Sequence, residues 1–175
     1  KMEDKNRNIL LTEEQIKSEI SKIGEILTND YKDKNLYVLS LLRGSFIFAA
    51  DLVRAIDTKT QIGFMTTSSY GASEESSGTI KIINDIPDNI EGLDVLIVDD
   101  IMDTGYTMEF IVNHVKKLGA KSVKTCTLLD KPSRRKVDLT PDYCCFTIED
   151  LFVVGYGLNY GDYYRNVPYI FNWEK

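Results

Sequence analysis

The chain alternates short, almost uninterrupted apolar runs with segments whose apolar residues recur at helical spacing. Residues 95–98 form the strongest of these runs, and residues 36–41 form a second. Runs without a polar face are typical of strands buried on both sides of a sheet. Residues 108–118 then carry apolar side chains at helical spacing. The alternation predicts an α/β fold: a central parallel sheet flanked by helices, with ligands at the carboxyl ends of the strands.

The remaining elements are predicted from the same patterns. Thr12 followed by Gln15 is a capping box, which places the start of the first helix. Gly119 is a plausible residue to end the helix over 108–118. Residues 68–78 are rich in Ser, Gly and Glu and are predicted to form a mobile loop. The other predicted elements are helices at 13–28 and 46–55 and strands at 61–67, 80–83, 122–129, 143–148 and 151–154, the last two closing the core.

Composition limits the classes that the chain can belong to. With 175 residues, 43% apolar and 27% charged, it has the size and composition of one globular domain. The net charge of −6 argues against broad contact with nucleic acid or an anionic membrane. Arg43 and Asp51 interrupt the longest apolar stretch, so no membrane span is expected. The single histidine and the three cysteines lack metal-site spacing, which favours buried free thiols in a reducing cytoplasm.

The segment after the strongest strand has the features of a phosphate site. Residues 103–107 place backbone N–H groups and two hydroxyls, from Thr104 and Thr107, at the start of a helix. Such an end carries about +0.5 charge and binds phosphate. Gly105 would let the backbone approach that phosphate closely.

Two carboxylates lie just before this segment. Asp99 and Asp100 follow the strand directly, where they can accept hydrogen bonds from vicinal hydroxyls. Carboxylates that accept hydrogen bonds from sugar hydroxyls lie here beside N–H and hydroxyl groups that donate to a phosphate. Together they indicate a site for a ribose 5-phosphate. One alternative is that these acids only cap the loop and helix. Another is a phospho-acceptor receiver domain, but there the acidic pair follows the first strand, whereas about three predicted strands precede it here.

Four segments together resemble one enzyme family. Residues 95–107 resemble the phosphoribosyl-pyrophosphate (PRPP) signature of type I phosphoribosyltransferases. Within that superfamily, residues 42–45, 129–132 and 152–159 resemble the pyrophosphate loop, the purine-reading lysine segment and the purine-stacking segment of the hypoxanthine-guanine phosphoribosyltransferases. The resemblance implies a single type I phosphoribosyltransferase domain over residues 1–175. Its core would span about 10–150, and a small hood would come from N-terminal residues and about 151–175.

The resemblance also implies an activity. Members of this family act in purine salvage and move 5-phosphoribosyl from Mg-PRPP to N9 of hypoxanthine or guanine, giving IMP or GMP and pyrophosphate. The implied cofactor is Mg²⁺, the implied location is the cytoplasm, and the implied assembly is a homodimer or homotetramer. The sequence leaves open the preference among hypoxanthine, guanine and xanthine.

On the PRPP side, the resemblance assigns residues to ribose, phosphate and pyrophosphate. Asp99 and Asp100 would hold the ribose hydroxyls, and Leu42-Arg43 is a candidate cis peptide. The 5′-phosphate would bind the loop made of Asp103, Thr104, Gly105, Tyr106 and Thr107, in which the Tyr106 side chain has no separate role. Pyrophosphate would contact Arg43, Gly44 and Arg165, with the alternatives that Arg43 is a surface charge and that Arg165 forms an exposed salt bridge. Ser69 and Tyr70 would open a closing lid, where the alternative is a disordered loop.

On the purine side, the resemblance makes Asp103 the general base near N7, with the alternative that it only orders the phosphate loop. Lys131 would donate to O6, where the alternative is a solvated loop charge. Phe152 would stack on the base, against ordinary core packing, and Val153 would read the base edge through its backbone.

Asn159 departs from the family, which usually has Asp at this position. A neutral amide binds a hard cation less strongly than a carboxylate does. We therefore expect Asn159 to contact the base edge, with the metal held mainly through PRPP.

One competing class remains, a PRPP-fold regulator that binds RNA, like the pyrimidine-operon attenuators. Such a protein needs a basic face, but the only basic run lies at 131–136, and a solvated loop explains it.

Overall fold

The computed structural model describes residues 7–70 and 79–174. Their helices and strands, in chain order, are β1 (Arg7–Leu11), α1 (Glu13–Asp30), β2 (Leu36–Leu42), α2 (Phe46–Arg54), β3 (Thr60–Tyr70), β4 (Thr79–Asn84), β5 (Asp94–Met102), α3 (Tyr106–Lys117), β6 (Ser122–Asp130), a 3₁₀ turn (Pro132–Arg134), β7 (Tyr143–Thr147), β8 (Val153–Val154) and β9 (Ile170–Trp173).

Six strands form the central sheet, in the order β4-β3-β2-β5-β6-β7. Five neighbouring strands of this sheet, β3, β2, β5, β6 and β7, pair in parallel, as predicted. The fourth strand, β4, pairs antiparallel with β3. Only residues 71–78 separate these two strands, and a parallel crossover needs about a dozen residues or more. The α/β class is therefore confirmed, with one antiparallel edge.

Burial explains why the central strands are apolar throughout. In β2 and β5, residues 36–41 and 94–98 are all buried, because helices cover both faces of the sheet. α1 and α2 lie on one face, where Ile16, Leu27 and Leu52 join Val38 in one core. α3 covers the other face, where Ile111 and Val115 pack with Ile97. A helix on each face leaves the carboxyl ends of the strands free to hold a site.

The predicted start of α1 and the predicted glycine after α3 are confirmed, while α1 ends at Asp30, two residues later than predicted. The Thr12 hydroxyl accepts the Gln15 N–H at 3.1 Å, and the Gln15 side chain accepts the Thr12 N–H at 2.8 Å. Gly119 follows the C-cap of α3 with φ +88, a conformation that glycine adopts without a side-chain clash.

A second, three-stranded sheet has the order β1-β9-β8. The prediction that residues 151–154 form a strand closing the core was wrong: only Val153 and Val154 are extended, and they pair with β9. β1 and β9 were not predicted as strands. They pair antiparallel, although about 160 residues separate them, and no local pattern encodes such a partner. We call this sheet, with the loop between β8 and β9, the hood.

Two strand ends near the candidate site differ from the predictions. β3 continues through Ser69 and Tyr70, which pair with Ile80 and Thr79, so residues 68–70 are strand instead of loop. The rest of the predicted mobile loop, 71–78, lies outside the described residues. β5 runs to Met102, and so the acidic pair lies within the strand.

The described cysteines are free thiols, with Cys126 and Cys145 buried and Cys144 half-buried. Burial raises the pKa of the Cys126 thiol well above its ordinary value, which keeps it protonated and unreactive. Within residues 7–70 and 79–174, every helix is too short or too polar to cross a membrane.

Candidate active site

The carboxyl end of β5 lies at the centre of the candidate site. Asp99 and Asp100 are half-buried there. The Asp99 carboxylate accepts the Asp100 N–H at 2.8 Å, and the Asp100 carboxylate accepts the Ile101 N–H at 2.8 Å. Burial, and then the neighbouring charge of Asp100, raise the pKa of Asp99 well above its ordinary value. The two neighbouring carboxyl groups lie at the point where the sequence predicted the ribose.

The loop after β2 is packed directly against this acidic pair. A Cβ on Gly44 would lie 1.9 Å from Oδ2 of Asp100, so a larger residue at position 44 would have to displace the Asp100 carboxylate. The Leu42-Arg43 peptide is cis, as the resemblance implied, and Arg43 is exposed. The buried Ser45 hydroxyl donates to the Leu41 carbonyl at 2.5 Å, which ties the loop to the end of β2.

The hood reaches the same loop from the other side. Gly157 has φ +100, and a Cβ there would lie 2.3 Å from the Gly44 carbonyl oxygen. Arg165 donates through Nη1 to the Gly157 carbonyl at 2.6 Å. The structure therefore brings together all three residues predicted to contact pyrophosphate.

The predicted phosphate loop connects β5 to α3. Gly105 is the N-cap of α3 with φ +91, which explains a glycine here independently of any ligand. The segment after β6 lies against this loop: the Lys136 N–H donates to the Thr104 carbonyl at 2.9 Å, and Arg135 Nε donates to the Asp103 carbonyl at 3.2 Å. These two bonds tie the loop to the segment after β6, at the N-terminus of a 12-residue helix.

Asp103 and Lys131, predicted as base and purine reader, are linked by two residues that sequence reasoning missed. Arg134 Nε lies 2.7 Å from Oδ1 of Asp103, and Arg134 Nη1 lies 3.7 Å from Oδ2 of Asp150. Lys131 Nζ lies 3.5 Å from Oδ1 of Asp150. The backbone N–H of Lys131 donates to the Met102 carbonyl at 2.9 Å, which fixes the lysine beside the end of β5.

This arrangement overturns the interpretation of 131–136 as a solvated basic loop. Lys131 is only 8% exposed. The side chains of Arg134 and Arg135 are 22% and 12% exposed, and Arg135 pairs with the buried Asp130. The sequence contains one signal that the run is partly buried: it begins directly after the predicted strand at 122–129, which is β6 in the structure.

Phe152 directly precedes β8 of the hood. It is 49% exposed, so the alternative of core packing is wrong. Its ring meets Tyr160 edge-on at 5.7 Å, and Tyr160 stacks on Trp173 at 4.3 Å. The Phe152 carbonyl accepts the Trp173 N–H at 2.9 Å, while Val153 is buried. An exposed ring on a rigid aromatic support can stack on a planar ligand.

Asn159 is exposed, and its amide N–H donates to the Gly161 carbonyl at 2.7 Å. The amide oxygen, which is neutral, is the atom of this side chain that a cation can bind. Among the described residues, no group of three or more His, Cys, Asp or Glu side chains could hold a metal ion.

The fold and this site define the class of protein. Residues 6–161 match the phosphoribosyl transferase domain family, and the chain belongs to that family. The chain is 46% identical over 162 residues to the hypoxanthine-guanine phosphoribosyltransferase of Bacillus subtilis, covering 93% of this chain and 90% of the relative.

Solved structures agree with this assignment. A hypoxanthine phosphoribosyltransferase from Staphylococcus aureus has a TM-score of 0.92 at 44% identity, over 95% of this chain and 91% of that one. The enzyme from Trypanosoma cruzi in complex with the product IMP has a TM-score of 0.92 at 36% identity, over 99% and 98% of the two chains. The relatives favour a transferase over the RNA-binding alternative.

Proposed function

We propose that the chain is a purine salvage enzyme that transfers 5-phosphoribosyl from Mg-PRPP to N9 of hypoxanthine, guanine or both, releasing pyrophosphate. The observation that carries this proposal is the 2.9 Å bond from the Lys131 N–H to the Met102 carbonyl. This bond joins residue 131 to the strand that bears Asp99 and Asp100, which supports a purine held beside the ribose. The product complex of the T. cruzi relative supports IMP as a product class.

At the ribose, bond breaking leaves positive charge on C1 and the ring oxygen. Asp99 and Asp100 accept the ribose hydroxyls and supply negative potential beneath the ring, which stabilises that charge. The 5′-phosphate is held by the loop of residues 103–107 at the start of α3, where backbone N–H groups and the helix dipole favour an anion.

At the purine, three side chains act on different parts of the base. Asp103 accepts the proton near N7 as the new bond to N9 forms, a role usually worth about 10²–10⁴-fold in rate. Lys131 donates to O6, and an adenine amino group would leave two donors facing each other. Phe152 stacks on the ring, while the Val153 backbone and Asn159 contact the base edge.

Arg43, Gly44 and Arg165 bind the leaving pyrophosphate. The close packing of Gly44 between Asp100 and Gly157 supports this, since it leaves the loop backbone facing the acidic pair. Ser69 and Tyr70, at the end of β3, begin a lid that excludes water from the reactive sugar cation.

The donor set fits Mg²⁺ as an ion carried by the substrate. Mg²⁺ keeps several waters and is usually bound through one or two carboxylates together with substrate phosphates. Asp99 and Asp100 are the carboxylates available beside the ribose, while Asn159 offers one neutral oxygen. Bound there, the ion would neutralise charge on the leaving pyrophosphate.

The proposal extends to organisation and location. One domain over residues 1–175, with a core at about 10–150 and a hood from both ends, fits the two sheets. We also propose a homodimer or homotetramer in the cytoplasm, where free thiols persist.

A PRPP-dependent assay with hypoxanthine, guanine, xanthine, adenine and uracil in parallel tests the function. We expect pyrophosphate release with hypoxanthine or guanine, and none with adenine or uracil. If no purine is converted, the proposal is wrong.

A further inference from the structure

The four charged residues Lys131, Asp150, Arg134 and Asp103 form a continuous ion-pair chain. The two oxygens of Asp150 divide between two cations: Oδ1 faces Lys131 at 3.5 Å, and Oδ2 faces Arg134 at 3.7 Å. Arg134 in turn donates to Asp103 at 2.7 Å. Its planar fork can bond two carboxylates at once, which an ammonium does with poorer geometry.

The chain joins two groups that must act on the same side of one small ligand. O6 and N7 lie on one edge of a 6-oxopurine, so Lys131 and Asp103 have to be correctly placed relative to each other. A displacement of about 1 Å can cost about 10²-fold in rate. Asp103 is at the end of β5, Lys131 follows β6, and Asp150 lies between β7 and β8. The backbones of these segments are already joined by hydrogen bonds, from the Lys131 N–H to the Met102 carbonyl and from the Ile148 N–H to the Asp130 carbonyl. The ion-pair chain adds to that frame a set of contacts between the side chains themselves.

We infer that Arg134 and Asp150 are positioning residues for this reaction: Arg134 orients the carboxylate of Asp103, and Asp150 orients the ammonium of Lys131. This inference rests on the proposed function. It adds two residues, and neither touches the purine itself. The Lys131 ammonium lies 3.5 Å from Oδ1 of Asp150, and this contact directs it when no base is bound.

The two roles separate in steady-state kinetics. Arg134→Gln should lower kcat about 10- to 100-fold, with the KM for hypoxanthine changing less than about threefold, because the proton acceptor is misplaced while the base is still read. Asp150→Asn should raise the KM for hypoxanthine about tenfold and leave the KM for PRPP within about twofold. Arg54→Gln is the matched control, since it removes an exposed arginine that also pairs with an aspartate, Asp51; its kinetics should equal those of the wild type.

A double-mutant cycle tests whether Arg134 acts through Asp103. In an Asp103→Asn background, Arg134→Gln should change kcat by less than about threefold, because the two substitutions remove one shared function. If the two losses multiply, Arg134 does not act through Asp103 and the inference is overturned. An unchanged kcat in Arg134→Gln overturns it equally.

Arg134→Lys covers the case in which the glutamine variant does not fold, which a Tm measurement will reveal. It keeps a cation but not the fork, so kcat should fall about 3- to 10-fold and the KM for hypoxanthine should stay constant. A wild-type kcat in that variant overturns the inference. Failure of the wild-type protein to convert any 6-oxopurine would instead refute the proposed function, so the two failures are distinguishable.

Discussion

Gly157 of the hood lies directly against Gly44 of the loop after β2, where a Cβ on Gly157 would stand 2.3 Å from the Gly44 carbonyl oxygen. Gly44 in turn lies against Asp100. The hood, the loop after β2 and the acidic pair are therefore in continuous contact.

Gly157→Ala should destabilise the protein by about 2–4 kcal/mol, because it adds a backbone clash to a positive φ. Urea unfolding measures this. Gly92→Ala is the matched control: Gly92 has φ +76 with nothing within 4 Å, so it should lose only about 1 kcal/mol. Equal losses in the two variants would show that the contact with Gly44 is unimportant.

Asp103→Asn should lose most of kcat, by about 10²–10⁴-fold, while the KM for PRPP stays within about threefold. The amide keeps the shape of the side chain but cannot accept the purine proton. Initial rates at varied PRPP measure both constants. Loss of PRPP binding would mean instead that Asp103 orders the phosphate loop.

Phe152→Ala should raise the KM for hypoxanthine by about 5- to 100-fold, the range expected for loss of one stacking contact. The Tm should change by only about 2 °C, since the ring is half-exposed. Tyr163→Ala, which removes another exposed hood ring, is the control and should leave KM unchanged. A large drop in Tm without a change in KM would assign Phe152 to the core.

Asp99→Asn should weaken PRPP binding and raise the Tm. Because burial raises the pKa of Asp99 above its ordinary value of 3.8, the folded protein keeps that proton at pH values where the unfolded chain has lost it. Stability is therefore lost as pH rises from about 4 through the raised pKa, and the variant avoids that loss. Thermal melts across pH should show the Tm gain growing with pH, whereas the exposed Asp138→Asn should show none.

Asn159→Asp should lower the Mg²⁺ concentration for half-maximal activity about 3- to 10-fold, because a carboxylate binds a hard cation more strongly than an amide does. If position 159 contacts the base instead, the substitution should shift the ratio of kcat/KM for guanine to that for hypoxanthine. Mg²⁺ titrations with both bases measure this. Asn166 is also an exposed asparagine of the hood, so Asn166→Asp adds the same charge at another position and is the control. Identical profiles for Asn159→Asp and wild type would rule out a role for this position.

The parts of the fold that depend on local pattern could be predicted. The capping box of Thr12, the stripe of α3 and the apolar runs of β2 and β5 each carry their signal within a few residues. The same holds for the loop of residues 103–107, whose glycine, hydroxyls and helix start are contiguous.

Other parts depend on contacts between distant segments, and no local pattern encodes them. The partnership of β1 with β9 and the packing of Gly157 on Gly44 join residues more than 100 positions apart. The exposure of Phe152 could not be read from periodicity, because a half-exposed ring and a core ring look alike in sequence.

By itself, the sequence determined the α/β class, the acidic pair at the end of β5 and the glycine that begins α3, since each is a property of neighbouring residues. Only the tertiary structure decided that Arg134 and Asp150 connect Asp103 to Lys131, and that Lys131 and Arg134 of the basic run at 131–136 are largely buried in these ion pairs. The physical reason is that an ion pair requires two side chains within a few ångströms, and the chain path between them is fixed by strand order in the sheet.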